Sequence, residues 1–337
     1  MKKNQIKQKI ILTGDRPTGP LHLGHFVGSL ENRVKLQKEY KQYIMIADVQ
    51  ALTDNAENPK KIQKNIYELI LDYLSVGIDP KINTIFIQSM VPELTELTIY
   101  FLNLVTLPCL QRNPTVKQEI KEKKFSTNVS AGFLMYPISQ AADITAFKAN
   151  LVPVGEDQLP MIEQTSEIVK KFNKYYGKIL IEPKALISKT ARLPGTDGKN
   201  KMSKSLNNAI YLSDSSSVVK EKIMKMFTDP KHIHINDPGK IKGNPVFSYL
   251  DAFAQDKKMV EEMKTHYQKG GLGDVEVKQK LITVLEEFLR SIRVRRKELE
   301  KDNTAIIKIL EKGAIDARKV AVQTLNEVRN AIGINYF

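Results

Sequence analysis

The chain has 337 residues, 52 lysines and arginines against 38 aspartates and glutamates, a formal net charge of +14, and one cysteine, Cys109. One cysteine excludes an intrachain disulfide, and no apolar run approaches the ~20 residues of a membrane span. The expected setting is therefore a reducing one, the cytoplasm, with no membrane partner. The length allows two domains and a large core, and the basic balance favours a polyanionic partner such as nucleic acid. Residues 1–9 are charged and have no apolar stretch behind them, so they are not expected to be a signal peptide.

The first unit is an apolar run at 10–13, a turn holding Gly14, Pro17, Gly19 and Pro20, and a helical period through Leu23, Phe26, Val27, Leu30 and Val34, over about 23–39. A helix opening on such a turn presents unpaired N–H groups and a partial positive charge, which suits a phosphate. Gly24 leaves room for a flat ligand against the backbone. His22 and His25 stand three apart, share a helix face and can donate to phosphate oxygens. The stretch fits neither the dinucleotide fingerprint nor the P-loop. No cysteine or acidic ligand stands near the histidines at metal spacing, so no metal ligand is assigned.

A second strand, at 43–47, ends at Asp48. Asn58 and Pro59 open a helix through Ile62, Ile66, Leu69, Ile70 and Tyr73, which Gly77 and Pro80 stop. A third strand follows at 84–87. This alternation predicts an α/β fold with a doubly wound parallel sheet and right-handed crossovers. In that fold ligands bind beyond the carboxyl ends of the strands. The 14–25 turn, Asp48 and Gln88 then share one rim.

From 91 to about 148 the pattern is helical. A basic piece carries Arg112, Lys117, Lys121, Lys123 and Lys124, and an apolar helix over 130–147 contains Asp143. A buried carboxylate is costly unless paired, so Asp143 either makes a salt bridge or cap, or accepts from a ligand N–H or O–H. A strand at 151–154 leads through Gly155, Glu156, Asp157 and Gln158, again on the rim, into a helix over 159–174. Residues 192–200 form a glycine-rich loop carrying Lys201, Met202, Ser203, Lys204 and Ser205. Two lysines three apart on such a loop suit neutralisation of a polyphosphate. A short strand is expected at 209–212. Beyond 213 the chain reads as helices at 215–227, 244–253, 275–299 and 304–332. Arg290, Arg293, Arg295, Arg296 and Lys297 favour RNA phosphates over a solvated face.

His22-Leu23-Gly24-His25 after a first strand, with Lys201-Met202-Ser203-Lys204-Ser205 late in the same domain, is similar to the paired motifs of class I aminoacyl-tRNA synthetases. The lead-in from Gly14 to Gly19, Tyr136-Pro137 with Ala141-Ala142-Asp143, and Val152 to Gln158 narrow this. Together they resemble the bacterial tryptophanyl-tRNA synthetase family, over nearly the whole chain.

The resemblance implies a Rossmann-like catalytic domain over 1–212, with a helical insertion at about 91–148, and an all-helical tRNA anticodon-binding domain over 213–337. It implies a homodimer. The implied reaction joins L-tryptophan to ATP as tryptophanyl-adenylate, releasing pyrophosphate, then transfers the aminoacyl group to tRNA(Trp). His22, His25, Lys117, Lys201 and Lys204 would be the catalytic set. Arg16, Pro17, Thr18, Gly24 and His25 would hold ATP, with Gly155, Glu156 and Asp157 at the ribose and the Leu193 backbone at adenine. Lys201, Met202, Ser203, Lys204 and Ser205 would complete the ATP site, and Mg2+ would arrive on the phosphates. Tyr136, Gln140 and Gln158 would take the tryptophan ammonium, Asp143 its indole N–H, with Leu12 and Gln50 lining the pocket. Arg16, His22, His25, Gln50 and Gln140 depart from the usual bacterial residues and resemble a second, auxiliary type, which implies an altered response to tryptophan-analogue inhibitors. Two other readings stay open. One is a tyrosine–tRNA ligase with Asp143 on a phenol, although Leu12 stands where that family has a tyrosine. The other is a synthetase-like protein that binds RNA or amino acid without charging.

Overall fold

The structure is a computed structural model describing residues 8–122, 125, 128–187, 193–204 and 206–336. Ser205, Lys123, Lys124 and the start of the 192–200 loop lie outside the described residues.

Five strands, β1 (Ile10–Asp15), β2 (Lys41–Ile46), β3 (Asn83–Ile87), β4 (Leu151–Val154) and β5 (Lys184–Ile187), form one parallel sheet in the order β3-β2-β1-β4-β5. Thr13 pairs with Ile44 and Ile44 with Ile85. That register brings the ends of β1, β2 and β3 level, at Asp15, Ile46 and Ile87. The order reverses between β1 and β4, the place where a crevice opens in a doubly wound sheet. β5 was not legible as a strand: it is four residues long, sits at the edge and has no fully buried position.

The crossovers are helical. α1 (Leu23–His25) runs through a π-helical turn, Phe26–Leu30, into α2 (Glu31–Leu36). α3 (Asp48–Leu52) and α4 (Pro59–Ser75) join β2 to β3, and the Asn58 side chain caps α4 by accepting from Lys61 N. The insertion holds α5 (Glu93–Leu102), α6 (Leu107–Arg112), α7 (Pro114–Glu122) and α8 (Ala131–Ala146), the last capped by Ser130 Oγ on Phe133 N at 3.1 Å. α9 (Leu159–Tyr176) joins β4 to β5.

Residues 209–212 do not form a strand. Tyr211 makes a single antiparallel bridge to His22, with Leu23 N donating to Ile210 O and Leu212 N to Leu21 O. Asp214 Oδ2 takes the Tyr211 N–H at 2.8 Å and turns the chain away before a ladder can extend.

The remaining helices are α10 (Ser216–Met224), α11 (Pro245–Phe253), α12 (Lys257–Lys269), α13 (Asp274–Leu299) and α14 (Asn303–Ile332). They share the sheet's two cores. On one face Leu21, Leu69 and Tyr73 pack with Phe247, Leu281 and Leu289 of α11 and α13. On the other Leu12, Tyr43, Phe86 and Phe147 pack with Ala317, Ala321 and Leu325 of α14. A side chain at Gly313 would meet Ile85 O, so glycine lets the α14 backbone lie directly on β3.

Part of the arginine group of α13 is structural, which corrects the expectation of an RNA-facing cluster for Arg293 and Arg296. Arg293 pairs with Glu286, Arg295 Nε donates to Ser75 O at 2.5 Å, and Arg296 pairs with Asp72, Glu68 and Glu300. Arg290, Arg295 and Lys297 stay exposed. Among the described residues no helix is long and apolar enough to cross a membrane.

Candidate active site

The crevice beside β1 is a cavity of about 1480 Å³. Its floor is the end of β1. Gly14 is required there, because a Cβ would stand 2.5 Å from Met45 O. The next residue, Asp15, accepts from Arg33 Nη1 and the Tyr73 hydroxyl, each at 2.7 Å. Burial pushes its carboxyl up, but the Arg33 guanidinium and these bonds win and hold it at about 2.

The two histidine rings lie against each other, centroids 3.7 Å apart and planes tilted by 37°. His25 Nδ1 accepts the backbone N–H of His22 at 3.1 Å, so a neutral His25 carries its proton on Nε2. Burial lowers both rings, His22 to about 2 with His25 and Lys204 adding to it, and His25 to about 4 with Asp15 opposing. At neutral pH both rings are therefore uncharged. Among the described residues His22 Nδ1 is buried without a partner.

The downstream loop closes on this turn. Gly24 N–H donates to Met202 Sδ at 3.3 Å, and a Cβ on Gly24 would stand 3.0 Å from the His22 ring. Lys204 Nζ donates to Gly19 O at 2.6 Å. Burial lowers Lys204 to about 8, against the pull of Asp15 and Asp72. Lys201 reaches outward to Glu122 at 3.0 Å. Asn208 holds the loop's shape, with Oδ1 accepting from Ser203 N at 2.8 Å and Nδ2 donating to Lys201 O at 3.2 Å.

The far end of the cavity is set by α8. Asp143 is 1% exposed and accepts from Gln88 Nε2 at 3.0 and 2.9 Å and from Gln50 Nε2 at 2.9 Å. Burial drives it up to about 7 against these two donors. Tyr136 is buried beside Glu119, and burial with that carboxylate pushes its phenol far above the ordinary range. Arg16, also on the cavity wall, spans Asp54 and Glu119 at 3.7 and 3.9 Å.

The structure brings most of the expected residues to one place. Leu12, Arg16, Thr18, His22, Gly24, His25, Gln50, Tyr136, Gln140 and Asp143 line the cavity, with Gly155, Glu156, Asp157, Gln158, Leu193, Lys201, Met202, Ser203 and Lys204. Two stand apart. Pro17 is buried in the turn, and Lys117 is exposed on α7. Glu119, two residues or about 200° further round the helix, lines the cavity instead, and Glu122 on that same side meets Lys201. Asp15, Arg33 and Glu119 were missed. A signal existed for Arg33, which follows Phe26 and Leu30 on the apolar face of the helix (i+7 and i+3), where a lone arginine needs a buried partner.

A family profile described as tRNA synthetases class I (W and Y) matches residues 4–290. The chain is 62% identical over 337 residues to a tryptophan–tRNA ligase of Clostridium longisporum, covering 98% of this chain and 99% of that one. It is 59% identical over 340 residues to that of Streptococcus pyogenes serotype M1, covering 98% and 100%. The tryptophanyl-tRNA synthetase of Campylobacter jejuni, solved with ADP and tryptophan, superposes with a TM-score of 0.85 at 30% identity, covering 96% of this chain and 99% of that one. The fold, the cavity at the β1–β4 switch and these matches agree: the chain belongs to the class I tRNA synthetases of the tryptophan and tyrosine group.

Proposed function

We propose that this cavity activates L-tryptophan with ATP, forming tryptophanyl-adenylate and pyrophosphate, and passes the aminoacyl group to tRNA(Trp). One observation carries the reading. A buried acceptor, Asp143, stands at one end of a cavity whose other end holds two neutral histidines, Lys204 and the Lys201 loop. Activation needs no covalent nucleophile. It needs two anions held in line and charge stabilised as pyrophosphate leaves. In this reading Asp143 takes the indole N–H, while Tyr136, Gln140 and Gln158 take the ammonium and Leu12 and Gln50 line the pocket. Thr18, Gly24 and His25 hold the nucleotide with Arg16 and Pro17 behind them, and Gly155, Glu156 and Asp157 hold the ribose, with the Leu193 backbone at adenine. His25 Nε2 and His22 serve as donors to phosphate oxygens. Lys204, Lys201, Met202, Ser203 and Ser205 form the pyrophosphate side. Lys117 joins them only if α7 turns. Mg2+ enters on the ATP phosphates.

The same reading assigns residues 1–212 to catalysis, with the 91–148 insertion, and 213–337 to tRNA. It makes the protein a cytoplasmic homodimer of the auxiliary type. The test is ATP–pyrophosphate exchange with tryptophan and tyrosine supplied separately. Exchange with tryptophan alone is expected. Exchange with tyrosine would overturn the role of Asp143, and a folded protein inactive with both would move the reading to a non-charging binder.

A further inference from the structure

Gln88 is 4% exposed, opens the turn Gln88–Met90 after β3, and stands behind the residues that line the cavity. Its amide joins two groups. Oε1 accepts the backbone N–H of Gln50 at 3.1 Å, and Nε2 donates to both carboxylate oxygens of Asp143. A backbone N–H can only donate, so the carbonyl end of Gln88 must face Gln50, and its NH2 end must then face Asp143. Asp143 therefore meets a donor that cannot turn round. The turn is itself fixed by α3, where Asp48 Oδ1 accepts from Ser89 N at 2.9 Å. The same helix supplies Gln50 Nε2 as the second donor to Asp143.

We propose that Gln88 is a specificity-determining positioning residue: by donating to both oxygens of Asp143 it keeps that carboxylate an acceptor for a ring N–H of the amino acid. The inference rests on the cavity being a tryptophan-activating site. A carboxyl group accepts without also donating only when ionised. Burial and the nearby Asp48 carboxylate drive Asp143 towards its neutral form, and the Gln88 and Gln50 amides oppose them. Among the described residues Asp48 is the one charged group shown to act on it. Without Gln88 the neutral acid would turn its own proton to the ring. The indole N–H would then lose its acceptor, whereas a ring with no N–H would lose nothing.

The experiment is ATP–pyrophosphate exchange driven by tryptophan or by β-(3-benzothienyl)alanine, in which sulfur replaces the indole N–H. The parent enzyme and Gln88→Leu are compared from about pH 6 to about pH 9. We expect the KM for tryptophan to rise about ten-fold or more near neutral pH in Gln88→Leu, the scale of one hydrogen bond to a charged group. The KM for ATP and for the sulfur analogue should hold, so the preference for tryptophan collapses. The penalty should shrink as rising pH ionises Asp143 again. Equal losses for both amino acids, a loss that ignores pH, or no loss would each overturn the proposal. The ratio of the two substrates does not depend on how much protein is folded. If Gln88→Leu does not fold, Gln88→Met, closer in length, carries the same comparison. A parent enzyme without tryptophan-driven exchange would be the separate failure of the underlying reading.

Discussion

Arg296 of α13 and Asp72 of α4, 224 residues apart, form an ion pair of 2.6 Å in which Asp72 is fully buried. The other Asp72 oxygen accepts the backbone N–H of Leu21 at 2.7 Å, one residue before His22. One carboxylate thus ties the helices after Leu212 to the turn that opens the cavity. Each Arg296 nitrogen makes a bond, with Nη2 on Glu68 and Nε on Glu300.

Arg296→Ala should therefore destabilise far more than a surface substitution. It leaves Asp72 buried without its cation, a loss of about 3–5 kcal/mol. Burial already holds Asp72 up at about 6 even with Arg296 present, so the variant should take up a proton there at neutral pH. Urea denaturation should show a large fall in midpoint, partly recovered in Arg296→Ala with Asp72→Asn. An Arg296→Ala protein as stable as the parent would contradict the assignment.

Much of this architecture was legible in the chain because the signals are local. Asn58, read as the opening of its helix, does cap it, and residues 151–154 are the strand their apolar run predicts. What was not legible depends on partners far away in sequence. β5 is a strand only because β4 pairs with it, and 209–212 fails to be one because Asp214 intercepts Tyr211. The charges of Arg293 and Arg296 read as surface until Glu286, Asp72 and Glu68 are placed beside them. In the site the histidine and lysine motifs announced themselves by spacing. Arg33 had its place on an apolar helix face as a signal, whereas Asp15 and Glu119 carry no spacing rule and emerge only from the fold.

Glu122→Gln should free Lys201. Both side chains are about half exposed, so the pair is worth at most about 1 kcal/mol and stability should hold. The lysine lies in the loop assigned to pyrophosphate, and releasing it should lower the KM for ATP in the exchange assay by up to about five-fold. An unchanged KM would show that the pair does not compete with nucleotide.

Lys204 should set an alkaline limb. Its ammonium is lowered to about 8 by burial, so free enzyme loses that charge as pH rises through about 8. The value of kcat/KM for ATP should fall there, because it reports the free enzyme. Lys204→Arg keeps a positive charge throughout this range. Its absolute rate should be lower, since the guanidinium does not fit a single carbonyl such as Gly19 O, but its profile should lose the limb. A limb that persists in Lys204→Arg would assign it to another group.

Asp143 ties selectivity to stability with opposite signs. Its folded pKa of about 7 lies above the ordinary 3.8, so the native state binds more protons between the two values. Its contribution is fully present below about pH 4 and is lost as pH rises to about 7. At pH 8 the buried charge is a cost to the fold, and under the proposed function an ionised acceptor is what the substrate ring needs. Asp143→Asn removes the charge but turns an NH2 towards the Gln50 and Gln88 donors, so the net gain in stability at pH 8 should be about 1–3 kcal/mol rather than the whole of the shift. At pH 4 the gain should vanish, because the parent is already neutral there. Under the proposed function the same variant would offer the indole ring an amide in place of a carboxylate, and its tryptophan-driven exchange should fall by about 100-fold, the cost of leaving one buried donor mispaired. Measuring thermal unfolding at both pH values alongside exchange separates the two effects. A variant that is less stable at pH 8 would mean that Asp143 serves the fold rather than the amino acid.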